Sequence, residues 1–362
     1  MQNYSRITVI LVLLLVSVGS RVSWGFTDPL DSASTFSPLA AKSLLNGVAS
    51  AGDRIVAVGQ RGHVLYSDDK GDSWEQAQVP VSTDLTDVHF ATPTHGWAVG
   101  HDSVVLKTVD GGKSWIKQLD GRSFDQLFDD FNVPEALGDF ESEALQMAAD
   151  RFQAQGPENP LLTVWFADEN NGFVFGVFNL ILRTSDGGKS WTPWIAKTDN
   201  PEELHFYSAK RIGNELYLVG ERGLVLRLNP EKNRFVDVSV DYRGTLFGLT
   251  GDSNVLLVFG LRGNLFRSDD GGVSWSRIET DMRSSITSGT VMPGGAVVIA
   301  NQNGELFLSE DSGGNFEKIR TGTRLPVTDI VAVSREKVLV VGVRGLAVQH
   351  LDHSSQTDNS EE

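Results

Sequence analysis

The sequence predicts an all-β fold, a seven-bladed β-propeller of Asp-box repeats with a short helical insertion between blades 2 and 3. Three observations carry this prediction: five segments share one eight-residue turn pattern, seven apolar strands end at equivalent points, and successive copies lie about 40 residues apart. A unit of that length holding four short strands is the signature of a propeller blade, and seven units fall within the usual range.

The turn pattern is S/T-x-D-x-G-x-x-W. It occurs at Ser67–Trp74, Thr108–Trp115, Thr184–Trp191 and Ser268–Trp275, and at Ser309–Phe316 with Phe in place of Trp. Asp69, Asp110, Asp186, Asp270 and Asp311 can accept hydrogen bonds from backbone N–H groups inside their own turns. The glycines accept positive φ. Trp74, Trp115, Trp191, Trp275 and Phe316 then return to cover the apolar side of each hairpin. A structural role accounts for every residue type in the box without a ligand.

Ahead of each box, an apolar strand ends at Val58-Gly59, Val99-Gly100, Phe175-Gly176, Val219-Gly220, Phe259-Gly260, Ala300-Asn301 and Val341-Gly342. The boxes, intact or decayed, begin at 67, 108, 184, 228, 268, 309 and 350, with steps of 41, 76, 44, 40, 41 and 41. The single long step places an insertion between repeats 2 and 3. The last repeat shows three strand-like runs, near 327–333, 337–342 and 345–351. Its fourth, outer strand is expected from residues 28–42, so that the two ends of the chain share a blade. The propeller then covers 26–351, and 352–362 is expected to be a disordered polar tail.

Residues 1–25 read as a signal peptide. Arg6 supplies the positive region, Ile7–Val18 the apolar stretch, and Ser23 and Gly25 the small residues before a cleavage point at Phe26. The apolar stretch is short for a bilayer span, which needs roughly 20 residues, although an uncleaved anchor is the alternative. The chain is therefore expected to be exported, with the periplasm as its location. There is no cysteine, which excludes disulfides, thiol catalysis, thiolate metal sites and a lipid-modified N-terminal Cys. The formal net charge of −16 disfavours nucleic-acid phosphate and anionic lipid as partners. His63, His89, His95, His101, His205, His350 and His353 show no metal-ligand spacing, so neither metal nor cofactor is expected.

Repeats 2 and 3 carry more than a generic box. Val88-His89-Phe90 leads to Gly96-Trp97-Ala98-Val99-Gly100 and the box at 108; Val164-Trp165-Phe166 leads through Gly172-Phe173-Val174-Phe175-Gly176 to the box at 184. This order resembles the photosystem II stability and assembly factor family of BNR-repeat propellers, over roughly residues 44–350. The resemblance implies a non-catalytic scaffold on the exported side of a membrane, binding immature membrane-protein subunits through an arginine-bearing propeller face. In a photosynthetic host the client would be photosystem II; in a divergent bacterial relative it would be another membrane complex, such as a transporter. The acidic insertion departs from the family pattern and puts the photosynthetic client in doubt.

Four turns opposite the boxes read X-Arg-Gly, with Arg61, Arg222, Arg262 and Arg344 following the strand-ending glycine at the same distance. These guanidinium groups should project from one face and form a cationic docking surface, because Arg forks bind carboxylates bidentately. The competing explanation is an inherited turn preference for a soluble residue.

The insertion, residues 120–158, holds ten acids against Arg122 and Arg151. Phe124, Leu127, Phe128 and Phe131 suit a short amphipathic helix, and Leu137, Phe140, Ala144 and Met147 a longer one, stopped at Gly156-Pro157. The expectation is that this second stripe packs on the rim of the disc; the alternative is a lid or a second partner-binding arm. Asp boxes also occur in sialidases, but no F-R-I-P segment is present and the only tyrosines beyond the leader are Tyr66, Tyr207, Tyr217 and Tyr242. A glycan- or peptide-binding propeller is the third reading, for which only Phe178 offers an aromatic at a turn tip.

Overall fold

The computed structural model describes residues 27–351, apart from 130, 136 and 322–324. The expected signal peptide and polar tail lie outside the described residues. The chain forms seven antiparallel sheets in sequence order. Blade 1 comprises Leu45–Ala51, Arg54–Gly59, Val64–Ser67 and Glu75–Gln76, each strand hydrogen-bonded to the next. Blades 2 to 6 repeat this four-stranded meander, over residues 85–119, 161–193, 206–237, 246–277 and 286–318.

The second strand of each blade is buried on both faces, as Gly96–Gly100 and Leu256–Gly260 illustrate, which explains its continuous apolar composition. Among the described residues the buried apolar side chains fall into seven clusters, one per joint between neighbouring blades. The core is thus a ring of sheet-on-sheet contacts rather than one central mass.

Blade 7 corrects an expectation. It has three strands, Val327–Ala332, Lys337–Gly342 and Gly345–His350, and residues 28–42 do not supply a fourth. That segment instead forms two single-turn 3-10 helices, Pro29–Asp31 and Ala40–Lys42. Pro29 and Pro38 lack the N–H a ladder needs. The backbone groups between them are taken by blade 1: Gln76 Oε1 accepts from Ser37 N at 2.9 Å, and Gln76 Nε2 donates to Thr35 O at 3.0 Å.

The ring is closed by a different device. In every blade the second residue of the innermost strand sits at a β-bulge, and all seven of these residues line the central channel. A bulge re-aims a side chain, and here it aims four polar ones at the next blade. Asn46 Nδ2 donates to Leu85 O at 2.8 Å, Thr86 Oγ1 to Leu161 O at 2.8 Å, Thr287 Oγ1 to Val327 O at 2.9 Å and Thr328 Oγ1 to Leu45 O at 2.7 Å. The following residue adds a second latch, as when Asp329 Oδ2 accepts from Val48 N at 2.9 Å. The joint between blades 7 and 1 therefore closes through side-chain latches and the apolar cluster of Leu45, Leu65, Leu339 and Val341.

The insertion contains helices α1, Phe124–Asp129, and α2, Asp139–Gln155. Phe124 and Phe128 are buried and join Phe152 of α2 in the cluster between blades 2 and 3. The α2 stripe expected to pack inward does not. The helix buries Ala148, Ala149 and Phe152, while Phe140, Ala144 and Met147 are exposed.

Candidate functional site

The two faces of the disc carry different hairpins of the same blades. On one face, between the third and fourth strands, lie the Asp boxes. In blade 2, Thr108 Oγ1 and Ser114 N reach Asp110 Oδ1 at 2.8 and 3.0 Å, and Ser114 Oγ reaches Oδ2 at 2.6 Å. Trp115 packs toward blade 1, its indole N–H donating to Gly112 O at 3.0 Å. Asp69, Asp186 and Asp270 are held down at about 2, chiefly by the hydroxyls of Ser73, Ser190 and Ser274, and Asp311 likewise by Asn315 N. Each carboxylate is satisfied inside its own turn.

The opposite face carries the turns between the second and third strands, together with the connections that lead to the next blade. Arg61, Arg222 and Arg262 occupy the middle of these turns at φ 57°, 52° and 60°, each followed by glycine with positive φ. A non-glycine residue costs roughly 1–2 kcal/mol there, least for Asn and Asp. Blade 2 places Asp102 at the same position, φ 56°, and blade 3 places Phe178, φ 52°. Glycine after Arg61 has a steric reason, since a Cβ on Gly62 would lie 2.2 Å from Val81 O. Arg344 differs: it belongs to a tighter two-residue turn between the paired Gly342 and Gly345.

All four arginines are exposed. Arg344 and Arg61 lie in adjacent blades 7 and 1, Arg222 and Arg262 in adjacent blades 4 and 5. Among the described residues, Arg222 is ion-paired with Glu202, whereas Arg61, Arg262 and Arg344 have no ion-pair partner. Two further arginines extend the arc. Arg243 and Arg283 each follow a turn arginine by 21 residues and are exposed in the connections after blades 4 and 5. Those connections lie against the arginine turns, with Gly223 N donating to Gly244 O at 2.8 Å and Arg262 N to Ser285 Oγ at 3.3 Å. The repeated offset was the signal that could have found them.

The insertion covers the same face over blades 2 and 3. Ser103 Oγ donates to Asn159 O, tying the blade-2 turn to the chain after α2. Arg151 of α2 lies 5.1 Å from the ring centroids of both Phe152 and Phe178 and pairs with Glu203 at 2.8 Å. Phe178 also meets His205 edge-on at 4.5 Å. The aromatic that would favour a glycan platform is thus engaged by the protein's own side chains. On this face the acidic insertion lies over blades 2 and 3, and the exposed turn arginines lie in blades 4, 5, 7 and 1.

The central channel encloses a cavity of about 270 Å³. Thr163 Oγ1 and Val164 N donate to Asp87 Oδ2 at 2.7 and 3.1 Å, yet burial raises this carboxyl to about 6, with Asp329 adding to the rise. Burial lowers His89 to about 4, and its Nε2 lies 2.9 Å from Phe166 O. No group of three or more potential metal-ligating side chains occurs among the described residues.

Comparison with known proteins agrees with this architecture. The family model described as photosynthesis system II assembly factor YCF48 matches residues 66–132 and 152–245. The match breaks at residues 133–151, which hold most of α2, whereas α1 falls within the matched residues. Photosystem II assembly protein Ycf48 of Synechococcus sp. (strain JA-2-3B'a(2-13)) is 28% identical over 163 residues, 41% of this chain and 48% of that protein. Photosystem II assembly lipoprotein Ycf48 of Synechococcus sp. (strain CC9902) is 27% identical over 132 residues, 35% of this chain and 39% of that protein. The matched region spans at most about half the length of these relatives. The structure titled "YCF48 bound to D1 peptide" superposes with a TM-score of 0.62 at 16% identity, covering 89% of this chain and 99% of that one. Streptogramin B lyase shares the fold at a TM-score of 0.65 and 11% identity, covering 89% and 97%, so the propeller by itself does not choose between scaffold and enzyme. The sequence relatives and the repeat point the same way: over the matched residues this chain is similar to the photosystem II assembly factor family, at a divergent level of identity.

Proposed function

We propose that this protein is an exported, non-catalytic assembly scaffold that binds a segment of a membrane-protein complex or its immature subunit through the arginine-bearing face. The observation that carries the reading is the set of exposed guanidinium groups on one face, three of them at left-handed backbone positions where Asn or Gly would fit better. Residues that serve a turn alone are not expected to accumulate at the conformation that disfavours them. Arg61, Arg262 and Arg344 hold their charge without an internal partner, which leaves their donors available to carboxylates of a client. A relative seen with a D1 peptide, and relatives named as photosystem II assembly proteins, support a client of this kind. The relatives named as lipoproteins support an exported location.

The test is a crosslinking pull-down from native membranes with tagged protein, beside the Arg61→Glu, Arg222→Glu, Arg262→Glu and Arg344→Glu combination. The expected outcome is recovery of one membrane complex by the wild type and its loss from the variant, with the thermal midpoint within a few degrees. Equal recovery by both would overturn the role of the arginines.

A further inference from the structure

Helix α2 is amphipathic twice over. Its inward side rests on the disc through Ala148, Ala149 and Phe152, with Leu145 packed alongside. Its outward side presents Phe140, Ala144 and Met147 at i, i+4 and i+7, with Phe140 84% and Met147 65% exposed. Those offsets form one stripe about two turns long. The stripe borders a groove of about 630 Å³ between α2 and the connection from blade 3 to blade 4, lined by Leu137, Phe140, Ala144, Leu145, Ile195 and Pro201.

The charge around the stripe selects its occupant. Asp139, Glu141, Glu143 and Asp150 flank it on the helix and are exposed. The single cation of α2, Arg151, is ion-paired with Glu203 at 2.8 Å, and Arg234 in the groove lining is ion-paired with Asp199 at 2.6 Å. A bilayer with anionic headgroups would be repelled by this rim, and a second copy docked stripe to stripe would set these four α2 acids against another four. An apolar ridge with cations on its flanks satisfies both features, in the way amphipathic helices dock into grooves.

We propose that the outer stripe of α2 and its groove form a second docking site, distinct from the arginine face, for a cationic amphipathic helix of a partner protein. The insertion is then a partner-binding arm carried on the disc, and the site neither requires the four arginines nor depends on the client they bind.

A fluorescent model helix with Leu at i, i+4 and i+7 and Lys on both flanks is the probe, measured by anisotropy against the full chain. Its counterpart carries Glu on the flanks. The Phe140→Ala/Met147→Ala variant leaves every charge in place, and because both side chains are exposed its thermal midpoint is expected to be unchanged. The expected result is binding of the Lys helix, weakened at least tenfold by the double variant and also by Glu141→Gln/Glu143→Gln. Little binding of the Glu helix is expected, and no loss with the four-arginine variant.

Equal binding by wild type and Phe140→Ala/Met147→Ala would reduce the effect to nonspecific charge attraction and overturn the site. No binding of the Lys helix, or equal binding of the Glu helix, would overturn it as well. So would association with phosphatidylglycerol-containing vesicles, or self-association abolished by the double variant, each of which would name a different occupant.

Discussion

The two faces of this disc use charged residues in opposite ways. Asp110 and its equivalents accept hydrogen bonds from hydroxyls and N–H groups within their own eight-residue turn. Arg61 and Arg262 stand on the opposite hairpins of the same kind of blade, in strained backbone, with no ion pair among the described residues. A charge satisfied within a turn stabilises that turn. One left unpaired on strained backbone contributes little to the fold and is available to something outside it.

That contrast sharpens into tests, the largest effect lying on the box face. Trp115→Ala removes a buried aromatic from the joint between blades 1 and 2 and is expected to destabilise by about 3–5 kcal/mol in denaturant unfolding. Asp110→Ala, which leaves Ser114 and Thr108 without their acceptor, is expected to cost about 1–3 kcal/mol. Client capture, measured well below the midpoint, should be retained in both. Capture lost along with a box would erase the distinction between the faces.

The channel gives an intermediate effect with a definite pH dependence. Asp87 is raised to about 6, so its contribution to stability is full below its unfolded value near 4 and is lost as pH rises to about 6. His89 is lowered to about 4, so its contribution is full above about 6.5 and is lost as pH falls toward 4. The two slopes oppose each other in the same window. Asp87→Asn should leave a protein that weakens on acidification from pH 6.5 to 4, and His89→Gln one that strengthens, each by about 2–3 kcal/mol. Thermal midpoints measured across that range check the signs; matching slopes in the two variants would contradict the assignment.

The smallest effect belongs to the arginine turns. Arg262→Asn, which suits a left-handed position better, should stabilise by up to about 1 kcal/mol while weakening client capture. Destabilisation with unchanged capture would return Arg262 to the status of a turn residue.

Much of this was legible in the residues. The box pattern, the seven strand ends and the long step between repeats 2 and 3 give the blade count and locate the insertion. The same register puts Arg61, Arg222 and Arg262 in equivalent turns, although Arg344 sits in a shorter one. The role of residues 28–42 was not legible, because whether a short segment joins a sheet depends on which neighbour takes its backbone groups, and here Gln76 of blade 1 does. Nor was the buried side of α2. That helix carries two apolar stripes roughly 120° apart at 100° per residue. The sequence favoured Phe140, Ala144 and Met147, whereas Phe124 and Phe128 of α1 select the side bearing Phe152.

The division follows the range of the interactions. Within one hairpin, the partners of Asp110 are two to four residues away, so a short motif specifies the turn, and its repetition specifies the blade and the ring. The closure latch from Thr328 to Leu45, the opposing shifts of Asp87 and His89 in a shared channel, and the choice of which α2 stripe meets water all join residues from separate elements. Those outcomes depend on burial and on neighbours brought from other parts of the chain, which only the assembled disc supplies.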